Sequence, residues 1–366
     1  MWVPPAAHWP DLVQSLLAWH QPLLRHMPWR NTPDPYRIWL SEVMLHQTQV
    51  QTVIPYYERF LSAFPTLQDL AAAPLDDVLK VWEGLGYYAR ARNLHAAARQ
   101  MMTRHGGQIP QEHHALLALP GVGPYTAGAV LSIAFGQDYP AVDGNVIRVL
   151  CRVFNIAADP RRGVVRQKLW ALAEQMLPKG RAGDFNQALM DLGALVCTPK
   201  NPQCDTCLWR DECQAKQLGV QAQRPVRGVR RVLPHYDIAV GVIWRGEHIL
   251  IDKRRPEGLL GGLWEFPGGK IEHGETASQA LVREATEELG IQVGDAQPFM
   301  TVHHAYTHFK VTLNVLQARW LSGELQCYAC TDWRWETVEN LRQYAFPTAN
   351  QKIIAALERQ TSSPWI

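Results

Sequence analysis

Four cysteines fall within seventeen residues: Cys197, Cys204, Cys207 and Cys213, with six, two and five residues between them. Thiolates so close in the chain can surround one metal centre, and zinc would accept all four. Upstream, residues 119–145 read LPGVGPYTAGAVLSIAFGQDYPAVDGN. Gly121 and Gly123 permit a tight turn and close backbone approach, and an apolar run with helical spacing follows from Tyr125 to Phe135. That is a helix-hairpin-helix pattern, in which backbone N–H groups at a helix N-terminus grip a DNA phosphate without reading a base. Asp143 stands where a further helix, Val146 to Phe154, is predicted to begin. A carboxylate close to a phosphate grip suggests chemistry on a nucleotide sugar. Alone, Gly-Val-Gly is ordinary turn punctuation and an Asp before a helix is most often an N-cap; the cysteine cluster gives the combination its weight.

These residues need a scaffold, and 366 residues suffice for two domains, each with its own core. The net charge of +2 hides an asymmetry: residues 1–231 carry 24 Lys/Arg against 18 Asp/Glu, and residues 232–366 carry 12 against 16. A basic first part and an acidic second part fit a nucleic-acid-binding body joined to a module of different chemistry. From His8 to about Cys213 apolar residues recur at three- and four-residue spacing, with Pro or Gly at the breaks, which predicts an all-α domain over residues 1–213. Residues 214–233, polar and basic without an apolar face, read as a linker. Beyond it, over residues 234–366, the period changes. Strands are expected at Tyr236–Trp244, His248–Lys253, Phe299–His304 and Lys310–Arg319, and helices at Thr276–Leu289 and about Thr348–Arg359, giving an α+β domain. No signal peptide or membrane span is evident, so a soluble, cytoplasmic protein that meets the nucleoid through DNA, with no membrane partner, is expected. Seven cysteines are too unevenly placed for a disulfide framework. Cys151 is expected to be buried, and the Cys327/Cys330 pair to be incidental.

The spacing and flanks of the cluster, CTPKNPQCDTCLWRDEC, resemble the 4Fe-4S loop of the endonuclease III family of DNA glycosylases. Within that family the chain is most similar to the adenine DNA glycosylases of the MutY type, which remove adenine mispaired with 8-oxoguanine. The resemblance implies a 4Fe-4S cluster on the four cysteines. It also implies a monomer acting on double-stranded DNA with A opposite 8-oxoguanine or G. Leu40 to Val50, LSEVMLHQTQV, resembles the family's catalytic helix, whose glutamate falls on Glu42. Adenine leaves readily only as a neutral base, so Glu42 would be the general acid and later help activate water, with its pKa raised by burial. His46 departs from the glutamine common at its place. Asp143 matches the carboxylate that stabilises the developing oxocarbenium, and Asn145 would orient it or the water. Tyr125 occupies the position that carries lysine in bifunctional members; a phenol forms no Schiff base, so the resemblance implies base removal without strand scission. Gln47, Thr48, Leu85 and Tyr87 match elements that enter the duplex, with Gly121 and Gly123 on the backbone. Arg25, Trp29 and Gln187 match the adenine pocket. Arg90, Arg92, Arg148, Arg161 and Arg162 would contact phosphates.

In the second domain, Gly269 to Glu275 and Arg283 to Ile291 fit the Nudix signature closely, with alanine at one place where a larger apolar residue is usual. In hydrolases of that type Glu284, Glu287 and Glu288 hold Mg²⁺ against a diphosphate, helped by the Gly268 carbonyl. Two readings stay open. Either the domain recognises 8-oxoguanine through Tyr306, Thr307 and His308, similar to the family's Phe-Ser-His loop, or it also hydrolyses oxidised nucleoside triphosphates. An endonuclease III-like glycosylase/lyase is the rival within repair, against which Tyr125 and the second domain argue.

Overall fold

The computed structural model describes residues 9–21, 27–30, 32–226, 228, 232–306, 308–360 and 364–365. Its first part is helical: α1 (Trp9–His20), α2 (Pro35–Leu45), α3 (Val50–Ala63), α4 (Leu67–Ala72), α5 (Leu75–Trp82), α6 (Ala89–Arg104) and α7 (His113–Leu117) lead to α8 (Pro124–Phe135), α9 (Gly144–Val153), α10 (Gly163–Met176), α11 (Ala182–Leu195) and the single turn α12 (Gln214–Gln217). Then come β1 (His235–Arg245), β2 (His248–Arg254), β3 (Trp264–Glu265), β4 (Gly268–Lys270), α13 (Ala277–Leu289), β5 (Gln292–Ala305), β6 (Lys310–Ser322), β7 (Cys330–Glu336) and α14 (Thr348–Leu357). No helix among the described residues is long and apolar enough to cross a membrane.

The chain forms two compact units, one of residues 1–71 and 96–230, the other of residues 72–95 and 231–366. The division departs from the expected boundary in two places. Residues 214–226 belong with the helices: the Arg152 guanidinium donates to the carbonyls of Gln221 (3.0 Å) and Arg224 (3.1 Å), and Arg224 donates to Asn155 Oδ1 at 2.9 Å. Backbone carbonyls satisfied by a buried cation make most of the expected linker part of a folded body. Residues 72–95, by contrast, fold with the sheet.

In the helical unit α2 starts on Asp34, whose carboxylate accepts from the Tyr36 N–H at 2.9 Å, with Pro35 preset for the first turn. Every residue from Ile38 to Met44 is buried, Ser41 and Glu42 included. A helix apolar on all sides is a core helix, and α2 packs against α3 and α8. A second core gathers α1, α9, α10 and α11 around Leu16, Phe154, Phe185 and Trp209, with Cys151 fully buried inside it as expected.

The second unit is a seven-stranded sheet in the order β3-β2-β1-β6-β5, with β4 on β1 and β7 on β2; β1 and β6 run parallel and the other pairs antiparallel. Alternation along β1 sends Val240, Val242 and Trp244 to the core beneath α14, and Ala239 and Ile243 to the core beneath α13. Burial on both faces gives β1 its continuous apolar run. The two-residue β3, β4 and β7 lie outside the expected strands, being too short or too polar for a periodic signal. Cys327 and Cys330, expected to be incidental, form a disulfide with a Cα separation of 4.9 Å.

Candidate active site

The loop before α9 and the body of α2 face one another across a cavity of about 830 Å³ lined by Trp29, Arg30, Glu42, His46, Gln47, Thr48, Tyr125, Asp143, Asn145, Gln187, Met190 and Asp191 among others. Eight residues separately singled out in the sequence thus share one space, together with Thr48. Glu42 is only 5% exposed. Burial pushes its carboxyl up to about 7, with Asp143 adding to the rise, while the Tyr125 hydroxyl and the Arg30 charge oppose it. Tyr125 Oη donates to Glu42 Oε2 at 2.5 Å and lies 3.4 Å from Met190 Sδ.

Asp143 is the N-cap of α9: its Oδ1 accepts from the Val146 N–H at 2.7 Å, and its Oδ2 from the Asn145 amide, also at 2.7 Å. Burial raises its pKa, and those two bonds with the Arg148 charge hold the rise in check. A helix N-terminus favours the ionised form as well. The two carboxyls therefore sit in contrasting surroundings, one buried against an apolar helix and a phenol, the other wrapped in N–H donors. The N-cap role of Asp143 leaves its carboxylate lining the same pocket as Glu42.

Three positioning features emerge only in the structure. Arg148, expected on phosphate, is 8% exposed; its Nη2 donates to Asn145 Oδ1 (2.8 Å) and the Gly193 carbonyl (2.7 Å), and its Nε to the Cys197 carbonyl (2.7 Å). Arg30 Nη2 donates to Asp191 Oδ2 at 3.0 Å, and His20 Nε2 lies 3.0 Å from the same oxygen, so a buried triad from two stretches far apart in the chain sets a cation in the pocket wall. Gly193 lets α11 approach α9, since a Cβ there would stand 2.6 Å from Asn145 Cβ. A glycine inside an apolar helix was the one available hint. His46, the departure from the expected glutamine, sits with Nε2 3.1 Å from Thr126 Oγ1.

Two of the pocket residues also contact the protein around them, and the remaining expected residues lie elsewhere. Trp29 is buried edge-on to Tyr57, and Gln187 donates to the Gly183 carbonyl at 3.2 Å. Arg25 and Thr307 lie outside the described residues. Gly121, at φ +74°, and Gly123, the N-cap of α8, form the hairpin turn. Leu85 and Tyr87 lie on the turn between α5 and α6 in the second unit, where Leu85 is 6% and Tyr87 40% exposed. Arg90 and Arg92 spend donors on protein carbonyls, at Gly86 (3.2 Å) and Gly261 (2.8 Å) respectively, instead of standing free for phosphate. Arg161 is exposed and paired with Asp159 at 2.7 Å.

The four cysteines line one small pocket with Arg152 and Lys216. Backbone N–H groups of Trp209, and of Lys216 and Ala215, bond to the sulfurs of Cys207 and Cys213, and Arg152 Nη1 lies 3.3 Å from Cys197 Sγ. Donors aimed at sulfur suit thiolates more than thiols. No group of three or more His, Cys, Asp or Glu side chains among the described residues stands at metal-binding geometry. That holds for the glutamates of α13 too, where Arg283 bonds Glu284 at 2.9 Å and Glu287 at 3.2 Å, while Glu288 is pushed up to about 7 by burial and by Glu284 and Glu265. Tyr306 packs on Phe309 with ring centres 4.9 Å apart, and His308 is exposed beside it.

A family model described as HhH-GPD superfamily base excision DNA repair protein matches residues 40–175, and one described as NUDIX domain matches residues 239–356. An adenine DNA glycosylase of Rattus norvegicus is 38% identical over 94% of this chain and 77% of its own length, and that of Homo sapiens 38% identical over 94% and 74%. The solved structure of a thermostable thymine-DNA glycosylase superposes with a TM-score of 0.53 at 32% identity, covering 58% of this chain and 98% of that one. With the helical pocket and the sheet unit both matched, and with such relatives aligned over nearly its whole length, the chain belongs to the adenine DNA glycosylase family of base excision repair proteins.

Proposed function

We propose that this protein flips adenine out of duplex DNA where it faces 8-oxoguanine or guanine, and hydrolyses its N-glycosyl bond without cutting the strand. The observation that carries the reading is the opposition of Glu42 and Asp143 in one pocket, with the first held at about 7 and the second on a helix N-terminus. Near neutral pH a large fraction of Glu42 is protonated and lies ready to give its proton to N7 of the base. The C–N bond then breaks with adenine leaving neutral, and the positive charge that grows on the sugar meets the Asp143 carboxylate, kept in place by the Val146 N–H and Asn145. Water adds to the sugar carbon and loses a proton to Glu42, now a carboxylate, which restores the starting state. Tyr125 has no amine to offer, so the abasic product keeps its strand.

Around this centre Trp29 and Gln187 suit the walls of a base pocket, and Gly121 and Gly123 with the N-terminus of α8 suit a phosphate. Gln47 and Thr48 at the pocket mouth, with Leu85 and Tyr87, would enter the duplex, and Tyr306 and His308 would meet the opposite base. The donor set of four thiols with N–H groups on two sulfurs fits a 4Fe-4S cluster on Cys197, Cys204, Cys207 and Cys213. Such a cluster supplies structural cross-linking of the loop that follows α11.

A single-turnover assay on duplexes with one adenine opposite 8-oxoguanine, analysed with and without hot alkali, tests the reading. Scission only after alkali supports it; scission without alkali would mean that an amine acts, and no product would end it.

A second reading adds Mg²⁺-dependent hydrolysis of oxidised nucleoside triphosphates at Glu284, Glu287 and Glu288. It is favoured by the close fit of Gly269 to Glu284, where a Cβ would stand 2.1 Å from the carboxyl, and by the crowding of Glu288 with Glu284 and Glu265. Because residues 72–95 fold with the sheet, the full chain is the right material. Pyrophosphate release from 8-oxo-dGTP with Mg²⁺, lost in Glu287→Gln, is the expected result, and its absence rejects this reading.

A further inference from the structure

The family model counts residues 72–95 within the glycosylase part, yet they fold in one unit with the sheet. Their contacts converge on a short extended stretch, residues 344–346. Lys80 Nζ donates to the Tyr344 carbonyl at 2.9 Å and pairs with Glu83 at 2.7 Å. The other Glu83 oxygen accepts from the Phe346 N–H at 2.8 Å. Tyr88 Oη donates to the Phe346 carbonyl at 3.4 Å and accepts from the Gly84 N–H at 3.2 Å. Between those residues the Ala345 carbonyl accepts from the Trp264 N–H of β3 at 2.9 Å. Three consecutive residues thus join the sheet on one side to the turn Gly84–Tyr88 on the other.

That turn needs holding. Gly84, Gly86 and Tyr87 have φ of +94°, +74° and +50°, and a tyrosine in the left-handed region persists only where its surroundings impose it. A Cβ at Gly86 would meet nothing within 4 Å, so its glycine answers to backbone conformation alone. Trp82 Nε1 donates to the Gly86 carbonyl at 3.1 Å, and Arg90 lies over the rings of Trp82 and Tyr87. Two further contacts fix the flanks: Lys253 pairs with Asp76 at 2.6 Å, and Arg92 donates to the Gly261 carbonyl at 2.8 Å.

Phe346 also belongs to the sheet core that carries the loop at Tyr306. Its ring lies 5.6 Å from that of Phe266, and Tyr306, Phe309 and Tyr344 pack on the same cluster. We propose that Glu83 and Tyr88 are positioning residues through which residues 344–346 hold the turn bearing Leu85 and Tyr87 on the same core as the Tyr306 loop, so that sensing the opposite base and opening the duplex are mechanically one act. The proposal rests on the reading above that Leu85 and Tyr87 enter the duplex. Cutting the grip leaves the pocket chemistry intact and costs discrimination between opposite bases.

The test uses the full chain with Tyr88→Phe and Glu83→Ala, and Leu85→Ala as a control on the reading beneath. Single-turnover rates are measured with adenine opposite 8-oxoguanine and opposite guanine, and hydrogen exchange is followed at amides 84–88. Loss of one or two hydrogen bonds predicts exchange about tenfold faster at those amides, with β6 unchanged, and a rate ratio between the two duplexes about tenfold smaller. The pH dependence of the remaining rate should not move. Unchanged exchange and an unchanged ratio overturn the proposal. Faster exchange with an unchanged ratio overturns the link to discrimination. If Leu85→Ala leaves both rates as they were, the turn does not enter the duplex and the reading beneath fails, whatever the exchange of the anchored variants shows. Global unfolding of either variant would appear as fast exchange in β6 as well, and Glu83→Gln, which keeps an acceptor for the Phe346 N–H and should retain the ratio, then replaces Glu83→Ala; a lost ratio in a folded Glu83→Gln overturns the proposed grip.

Discussion

Arg148 and Asn145 are joined by a 2.8 Å hydrogen bond from guanidinium to amide oxygen, and the same guanidinium reaches the Cys197 carbonyl at 2.7 Å. Asn145 in turn gives its N–H to Asp143. One buried cation therefore sets the face of an amide that steadies a carboxylate, and ties that amide to the first cysteine of the cluster loop. Replacing Arg148 by Met takes its donors from the buried Gly193 carbonyl and Asn145 Oδ1 and leaves the Cys197 carbonyl with Arg152 Nη1, at 3.2 Å. The expected loss is about 3 kcal/mol of stability, at 1–3 kcal/mol for each unmade buried bond, with kcat falling more than duplex affinity. Urea unfolding and single-turnover kinetics would show both, and a variant with the parent's stability and rate would make the bond incidental.

Glu42→Gln separates chemistry from stability. On the proposed general-acid role of Glu42, the substitution should lower the single-turnover rate by about 10² to 10⁴. The folded-state pKa of Glu42 lies near 7, above its ordinary 4.5, so its contribution favours folding fully below about 4.5 and is lost as pH rises through 7. The glutamine has no charge to bury. It should therefore match the parent near pH 4 and exceed it by roughly 3 kcal/mol above pH 8, at 1.36 kcal/mol per pKa unit. Denaturant unfolding at both pH values decides; equal stability at pH 8 would mean that Glu42 is not carried at a raised pKa.

Tyr125→Phe should move the alkaline limb of the rate profile. Burial raises the Glu42 pKa and the Tyr125 hydroxyl opposes that rise, so removing the hydroxyl leaves the carboxyl protonated to higher pH. The limb near pH 7 is expected to shift upward, by about one unit for the loss of one charge-assisted bond. A limb that stays in place would assign it to another group.

Much of this site was legible because its residues carry local marks. Asp143 follows a hairpin and opens a helix, Glu42 lies in an apolar run, and the cysteines cluster within one loop. Arg30, Asp191 and His20 carry no such mark, since the charge that makes each meaningful lies 161 or 171 residues away. Arg148 was misread for a related reason: a basic residue beside a DNA-facing motif looks like a phosphate ligand until its carbonyl partners are known. The same holds for Arg90, whose donor goes to the Gly86 carbonyl, and for Arg92 and Lys80 in the segment from residue 72 to 95, whose helical period is genuine but whose partners are the loop carbonyls of Gly261 and Tyr344. Periodicity reports the element and its apolar face; it carries no information on which distant backbone satisfies the polar one.

Gly193→Ala tests how finely the carboxylate is aimed. The new methyl would stand 2.6 Å from Asn145 Cβ and 3.1 Å from the Asn145 carbonyl, both on α9, so either helix must move by several tenths of an ångström. Overpacking of this size costs about 1–3 kcal/mol. The displaced residue is the one that holds Asp143, and the alanine alters no charge in the pocket. The rate should thus fall by at least about tenfold, the order expected for misplacing a catalytic group, while the pH at which the alkaline limb falls, set at Glu42, stays where it was. Single-turnover rates across pH separate the outcomes. A lowered plateau with an unmoved limb supports aim as the quantity that Gly193 protects, whereas a moved limb would mean that the strain reaches Glu42 and that the two carboxyls are not independently held.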